Sequence, residues 1–258
     1  SKLFGEDIAE RVFPFDVFPP DSYFIRDDNQ VKIVPCTHDS VYARRIGFSV
    51  CQSGIWTGTW VGSDDFIGDK DIQPSGKTFK AGIAFEGLGN LRALITNISM
   101  AGAVYKAIVQ KFGWSYEYAA EYAEETIDKV GAQVAFDIEE LPADADTATE
   151  FILKKGCDFG GLALAYLLLS LAASCWQKKQ LVYGILRKKA PKKVAVFGGF
   201  AKNPAFLRAL KLFGFEPIIP PFAANATHAG LALVALVRTG EAADDQEALS
   251  ILQGLFSI

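Results

Sequence analysis

Residues 194–204 read Val-Ala-Val-Phe-Gly-Gly-Phe-Ala-Lys-Asn-Pro. This stretch predicts a buried strand that ends in Gly198 and Gly199, followed by a helix that begins near Pro204. Glycines at such a turn let a ligand approach the backbone, and a helix N-terminus offers N–H groups to it. Asn203 is well placed as the N-cap of that helix. A tight strand-to-helix turn without any ligand explains the same residues equally well.

Around this stretch, strands come first along the chain, helices follow, and strand and helix then alternate. Strands are expected at residues 31–35, 46–60 (as a hairpin), near 79–85, 193–197 and 216–219. Helices are expected at residues 93–112, 116–130, 143–155, 159–186 (broken near Gly184), 204–213, 227–239 and 249–258. This order predicts an α/β domain in which helices cover both faces of a mixed sheet.

Composition argues against several classes of protein. The chain has 258 residues, half of them hydrophobic, and a net charge of -4, which suits a packed domain and not a nucleic-acid binder. Its four cysteines lack close paired spacing and it has two histidines, so neither a disulfide framework nor a zinc site is expected. The apolar segment 159–176 falls short of the ~20 residues of a membrane span. With no signal peptide visible, we expect a cytoplasmic, metal-free scaffold that binds neither nucleic acid nor membrane.

A loop that carries a carboxylate follows the first predicted strand, and it reads Thr37-His38-Asp39-Ser40. Enzymes of the α/β class place bases at the ends of strands, and Asp39 could there accept a proton from a hydroxyl that attacks phosphorus. An Asp that caps a turn or a helix explains the residue as well. Taken alone, the loop favours this simpler interpretation.

The predicted hairpin carries glycines beside hydroxyl residues, at Ser53-Gly54 and Gly58-Thr59. Such a turn can surround a phosphate with N–H and O–H donors. An ordinary hairpin turn with an exposed threonine is the commoner explanation, and it is favoured without further context.

The order of these motifs resembles the second domain of FGGY carbohydrate kinases, and most closely the rhamnulose and fuculose kinases. That domain carries His-Asp-Thr, Ser-Gly-Thr-Trp, Asn-Glu-Gly-Gly, Lys-Asn-Ile, Gly-Gly-Gly-Ser-x-Asn and Glu-Ala-Thr-x-x-Gly. The counterparts here, in the same order, are His38-Asp39-Ser40, Gly58-Thr59-Trp60, Phe85-Glu86-Gly87-Leu88, Thr96-Asn97-Ile98, Gly198-Gly199-Phe-Ala-Lys-Asn203 and Asn225-Ala-Thr227-His-Ala-Gly230. The match covers most of the chain from about residue 31 onward.

The resemblance implies a domain of the actin-like ATPase (ribonuclease H-like) kind that transfers the γ-phosphoryl group of ATP to a hydroxyl of a ketose. It implies that Asp39 is the catalytic base. His38 and Ser40 would flank that base at the sugar, and Asn97 would lie near the junction of sugar and phosphate.

The resemblance also implies a nucleotide site. Thr59 with Gly58 matches a threonine that contacts phosphate, and Gly54 is the alternative under a shifted alignment. The glycine-rich loop, with Gly198, Gly199 and Asn203, matches the loop that holds the adenosine end. Mg²⁺ would arrive with the nucleotide and not on a set of protein ligands.

Five residues depart from the family pattern, namely Ser40, Phe85, Leu88, Phe200 and Asn225. They favour an alternative in which the chain is a non-catalytic nucleotide- or sugar-binding regulatory module with the kinase fold, whereas the retained Asp39 and Thr59 weigh against it. A second alternative is an enzyme of another α/β family whose Gly198-Gly199 turn serves an unrelated nucleotide site; the ordered motifs argue against it.

The kinases of this family close two lobes around ATP and sugar, and the phosphate-binding Asp-x-Gly loop of their first lobe has no counterpart here. The chain also lacks an initial methionine, so we expect a part of a longer protein. Residues 1–30 would be a crossover segment from the N-terminal lobe and residues 31–258 the nucleotide-binding domain. By itself this domain would be inactive, and the apolar face that normally meets the other lobe would favour homo-oligomers.

Overall fold

The computed structural model describes residues 24–26, 31–33, 39–51, 53–56, 60–63, 83–88, 91–97, 101–185 and 187–256. The strands among them are β1 (Phe24–Arg26), β2 (Val31–Ile33), β3 (Ser53–Trp56), β4 (Trp60–Ser63), β5 (Ile83–Leu88), β6 (Leu91–Asn97), β7 (Lys193–Phe197) and β8 (Glu216–Ile218). The helices are α1 (Asp39–Phe48), α2 (Ala101–Lys111), α3 (Tyr116–Val130), α4 (Ala145–Lys155), α5 (Gly160–Ile185), α6 (Pro204–Leu212), α7 (Ala226–Arg238) and α8 (Asp245–Phe256). Short 3₁₀ turns lie at Ile138–Glu140, Gly199–Lys202 and Ala223–Asn225.

Most of the described strands form one mixed sheet, in the order β5-β6-β4-β3-β7-β8. The strand pairs β5–β6, β6–β4 and β4–β3 are antiparallel, whereas the pairs β3–β7 and β7–β8 are parallel. β7 is buried from Val194 to Phe197 without polar alternation, which is typical of a strand covered on both faces. β1 and β2 form a separate antiparallel ribbon.

Helices cover both faces of the mixed sheet. On one face α1 packs on β3 and β7 and against α7, which also contacts α8. On the other face α5 contacts β4 and β6 and is surrounded by α2, α3, α4 and α6. Successive strand residues point to opposite faces, so Gly54 lies toward Phe48 of α1 while the fully buried Ile55 points to the other side. The chain is therefore a mixed helix-and-strand protein of α/β character, as its sequence predicts.

α5 is the longest helix of the described residues. By length and composition its segment Gly160–Gly184 could cross a membrane, and 72% of its most apolar window is buried inside the fold. Gly160 and Gly161 leave room for the rings of Trp114 and Tyr122. Burial by surrounding helices is typical of a core helix, which is the structure that the sequence predicts for this segment.

Two close approaches fix the position of α1. A Cβ atom on Gly47 or on Gly54 would collide with the ring of Phe197, so both glycines make room for this ring between α1 and the sheet. A Cβ atom on Gly230 of α7 would fall on the backbone carbonyl group of Tyr42. The backbones of α1 and α7 are therefore in direct contact, and a side chain between them would force the helices apart.

The sequence predicts the helices and strands after residue 116 to within about four residues, but earlier segments differ. The helix expected at 93–112 is instead β6 and α2, because β6 is held by strand pairing on both of its edges. The hairpin expected from residue 46 begins at Ser53, because α1 continues to Phe48. α1 begins at Asp39, where a loop was expected to reach Ser40, and α5 passes Gly184 without a break.

Candidate functional site

Several strands end side by side at one edge of the mixed sheet. Trp56, the last residue of β3, is in register with Phe197, the last residue of β7. It also pairs with Trp60 of β4, and Trp60 pairs with Asn97, the last residue of β6. The carboxyl ends of β3, β6 and β7 therefore lie together, which is where open α/β sheets bind their ligands.

The start of α1 lies over the same edge. Only residues 49–52 connect α1 to β3, and α1 packs on that strand. The helix is therefore antiparallel to β3. Its ten residues span about 15 Å, which is close to the ~13 Å of a four-residue strand. Asp39 and Ser40, the first two residues of α1, are thereby brought to the edge where β3 ends at Trp56.

Four of the remaining predicted residues belong to the β3–β4 hairpin and the loop before α1. His38, Gly58 and Thr59 lie outside the described residues. Gly54 is buried inside β3, where its missing side chain leaves space for the ring of Phe197. Packing of that ring by itself accounts for glycine at this position.

The loop after β7 has a defined backbone conformation. Gly198 adopts a φ of 83°, which favours glycine, and its N–H donates to the carbonyl oxygen of Ala223 at 2.7 Å. One 3₁₀ turn follows, and Asn203 then caps α6 by accepting a hydrogen bond from the N–H of Phe206 at 3.0 Å. The N-cap predicted from the sequence is therefore confirmed.

Beside this loop lies a cavity of about 660 Å³. Its walls are the loop from Gly199 to Pro204 and the N-terminal parts of α2 and α3. The side chains that give the cavity its chemistry are Tyr105, Tyr116, Phe200, Asn203, Lys202 and a pair of glutamates, Glu117 and Glu121. Among the residues that the sequence assigned to a nucleotide, Gly199 and Asn203 thus line one cavity.

Aromatic rings contribute to the lining of the cavity. Tyr105 stacks with Tyr116 at a centroid distance of 6.3 Å and meets Phe200 edge-to-face at 5.6 Å. Burial raises the pKa of Tyr105 to about 12, although the neighbouring Asn203 side chain lowers it. Within the described chain the Tyr105 hydroxyl has no hydrogen-bond partner. A buried polar group without a partner is unfavourable, and a ligand or a small movement of Asn203 would relieve it.

The charges at the rim are unequally distributed. Glu117 and Glu121 lie one turn apart on α3 and share a face of it, and both are exposed to solvent. Lys202 is the cationic residue that lines the cavity. At the N-terminus of α6, Pro204 has no N–H and Asn203 already pairs the N–H of Phe206. The cavity thus offers few free donors to a phosphate and suits the uncharged part of a ligand.

In the described ranges, no three His, Cys, Asp or Glu side chains come together as a set of metal ligands. The thiols of Cys51, Cys157 and Cys175 are free. Cys157 is exposed and adopts a φ of 51°, whereas Cys175 is buried in α5. That Mg²⁺ arrives with the nucleotide stays a prediction.

Sequence reasoning did not identify the residues that α2 and α3 contribute to the cavity. Tyr105, Tyr116 and the two glutamates stand within amphipathic helices, where their spacing predicts only a solvated or packed face. The one local signal among them is Tyr116, an exposed aromatic residue directly after Ser115, the N-cap of α3. Tertiary packing of α2 and α3 beside the loop after β7 makes them neighbours.

No model of a protein family matches the chain, and no curated protein matches it either. The resemblance to FGGY carbohydrate kinases therefore rests on the ordered motifs of the sequence.

Proposed function

We propose that this chain is the nucleotide-binding part of an ATP-dependent carbohydrate kinase of the FGGY type, with an actin-like domain. The observation that supports the proposal is the cavity beside the loop that contains Gly199 and Asn203. The ordered motifs assign this loop to the adenosine end of ATP. A volume near 660 Å³ falls within the roughly 300–1,000 Å³ of small-molecule sites.

The chemistry of the cavity suits adenosine better than phosphate. Tyrosine rings offer flat surfaces on which a base can stack. The carboxylates of Glu117 and Glu121 accept hydrogen bonds from hydroxyl groups such as those of a ribose, and they repel phosphate. The phosphates would therefore leave the cavity toward the edge of the sheet at which β3, β6 and β7 end.

At that edge the proposal assigns the transfer step to Asp39. Its carboxylate accepts the proton of the attacking sugar hydroxyl while the γ-phosphoryl group passes to that oxygen, the bond from the γ-phosphorus to the bridging oxygen breaks, and ADP leaves. When bound, Mg²⁺ neutralises the charge on the phosphate oxygens. The remaining catalysis is positioning, in which Asn97 lies near the sugar and the loop after β7 holds the nucleoside.

Nucleotide binding is the first test. Titration calorimetry of the 258-residue chain with ATP should show a site that Gly199→Val weakens, because Gly199 lines the cavity and an added side chain there meets no protein atom that would disturb the fold. Gly254→Val is the matched control, since Gly254 also has open space and lies in α8. Equal affinities for the two variants would contradict the assignment of the cavity.

Phosphotransfer is the second test, and it needs a protein that contains the proposed N-terminal lobe. That protein should phosphorylate one ketose among rhamnulose, fuculose, ribulose and xylulose, and Asp39→Asn should abolish turnover while ATP still binds. If ATP binds but no ketose reacts, the chain is instead a regulatory module that keeps the kinase fold.

A further inference from the structure

The C-terminal end of α8 contacts the turn that holds the loop after β7. We propose that Phe256, the last residue of α8, positions this loop for the nucleotide, an inference that rests on the proposed function. Phe256 acts through Phe222, whose backbone conformation it stabilises, and it does not line the cavity itself. It is therefore a positioning residue and not a catalytic residue.

The first step of the argument is the contact that holds the loop after β7. The N–H of Gly198 donates to the carbonyl oxygen of Ala223 at 2.7 Å, and Ala223 is buried. The 3₁₀ turns Gly199–Lys202 and Ala223–Asn225 also contact each other. Because the first of these turns lines the cavity, the place of the carbonyl group of Ala223 determines where that wall begins.

The conformation of Phe222 determines where this carbonyl group lies. The N–H of Ala223 donates to the carbonyl oxygen of Pro220 at 3.2 Å, which closes a turn with Phe222 at its third position. Phe222 adopts a φ of 59° and a ψ of 17°, and a third position with positive φ is normally occupied by glycine or asparagine. A bulky side chain is unfavourable in this left-handed region, so contacts around the Phe222 ring must compensate for it.

One such contact comes from α8. The rings of Phe222 and Phe256 meet edge-to-face, with centroids 5.9 Å apart and an angle of 77° between their planes. Aromatic pairs prefer this kind of geometry. Phe222 also packs against the core, whereas Phe256 is 65% exposed. Removal of the Phe256 ring should therefore affect the turn at Phe222 more than the stability of the whole chain.

The other end of α8 is fixed to α1, and this anchor keeps Phe256 in place. Asp245, in the first turn of α8, pairs with Arg45 of α1 at 2.6 Å. Gln246 donates from its side-chain nitrogen to the carbonyl oxygen of Ser49 at 3.1 Å, and α8 also packs on α7. Because a helix is a stiff element, its anchored start determines where Phe256 lies. α8 thereby links α1, which begins at the proposed catalytic base, to the loop that lines the cavity.

Titration calorimetry of the full chain with ATP tests the inference. Phe256→Ala should weaken ATP binding by roughly 3-fold, because without the ring pair the turn occupies the binding conformation less often. The melting temperature should change little, since Phe256 is mostly exposed. Phe256→Tyr keeps the ring and should bind ATP as the native chain does. Leu255→Ala is the matched control and should also bind normally, because Leu255 is the preceding residue of α8 and is 71% exposed.

Phe222→Gly shows whether Phe256 acts through Phe222. Glycine adopts the φ of 59° found here without steric cost, so the turn no longer depends on a ring pair. Adding Phe256→Ala to Phe222→Gly should therefore leave the ATP affinity unchanged. Phe222→Asn gives the same comparison if glycine unfolds the chain, since asparagine tolerates positive φ.

Hydrogen exchange gives a second readout, and it needs no nucleotide. In the free chain, Phe256→Ala should raise the exchange rate of the Gly198 N–H by roughly 3-fold, because its hydrogen bond to Ala223 opens more often. The control is the N–H of Gly131, which pairs with the carbonyl oxygen of Ile127 at 2.8 Å at the end of α3. It should exchange at the native rate.

The outcomes separate this inference from the proposed function. If ATP binds and Phe256→Ala binds it as tightly as the native chain, the inference is wrong and the nucleotide site stands. The inference is also wrong if Phe256→Ala weakens binding equally in the Phe222→Gly chain, since Phe256 then does not act through Phe222. If the native chain does not bind ATP, the proposed function is overturned, and exchange at Gly198 alone then decides whether Phe256 holds the loop.

Discussion

Gly230→Ala tests the packing that holds α1 in place. The new methyl group would fall on the carbonyl group of Tyr42, with the carbonyl carbon 2.5 Å away. Carbon atoms pack best at about 3.5–4.0 Å, and backbone atoms cannot rotate aside, so α1 and α7 must separate by roughly 1 Å. We therefore expect a large destabilisation for the addition of a single methyl group.

The magnitude follows from two opposing effects. Forcing a methyl group into a packed core costs about 1–3 kcal/mol, and contact between two backbones places this site at the upper end. Alanine is favoured over glycine inside a helix by about 1 kcal/mol. The free energy of unfolding should accordingly fall by about 2 kcal/mol, which lowers the melting temperature by roughly 4–8 °C.

Urea unfolding measures this change, with an m-value that stays constant if only the folded state is affected. Gly254→Ala is the matched control, because Gly254 is also helical but has open space around it. It should be as stable as the native protein or up to about 1 kcal/mol more stable. If Gly230→Ala were as stable as Gly254→Ala, the direct contact between α1 and α7 would be refuted.

Three further substitutions test other parts of the fold and the site. Gly54→Ala should destabilise the chain by about 1–3 kcal/mol, since its Cβ would lie 2.8 Å from the ring of Phe197. If Phe197→Leu is added, part of the lost free energy of unfolding should be recovered, and a double-mutant cycle in urea measures this recovery. Asn203→Ala should cost about 1 kcal/mol through loss of the α6 cap, whereas Asn203→Ser should retain most of it in the same assay. Burial lowers the pKa of Lys179 from 10.5 to about 8. Between these two pH values the unfolded chain binds more protons than the folded chain, so the free energy of unfolding rises with pH. Lys179→Met should abolish that rise when the free energy of unfolding is measured across a pH series.

Local sequence signals were sufficient to predict a helix or strand where residues within or next to the segment determine its conformation. α3 runs from Tyr116 to Val130 as predicted, because Ser115 caps its start, its burial pattern is helical, and Gly131 ends it with a φ of 66°. β7 was equally clear, since a short Val and Ala run meets two glycines. Residues 91–97 were not clear, because their apolar spacing fits a helix as well as a strand, and pairing with β4 and β5 decides between the two.

The candidate site was predictable only in part, for the same physical reason. The turn at Gly198 and the cap at Asn203 are encoded locally, and both were predicted. Tyr105 and Glu121 come from separate helices, and no local pattern relates them to that turn.

The parallel pairing of β3 with β7 has a consequence for biosynthesis. Gly54 is in register with Ala195, so 141 residues (195 − 54) of chain separate the two partners. At about 5–20 residues per second, a ribosome needs roughly 7–28 s to make that interval. During this time one edge of the β3–β4 hairpin stays open to other chains, because exposed strand edges promote aggregation. Long-range pairing is also slow to form, so the yield of soluble protein should depend on translation speed and on chaperones that shield the nascent hairpin.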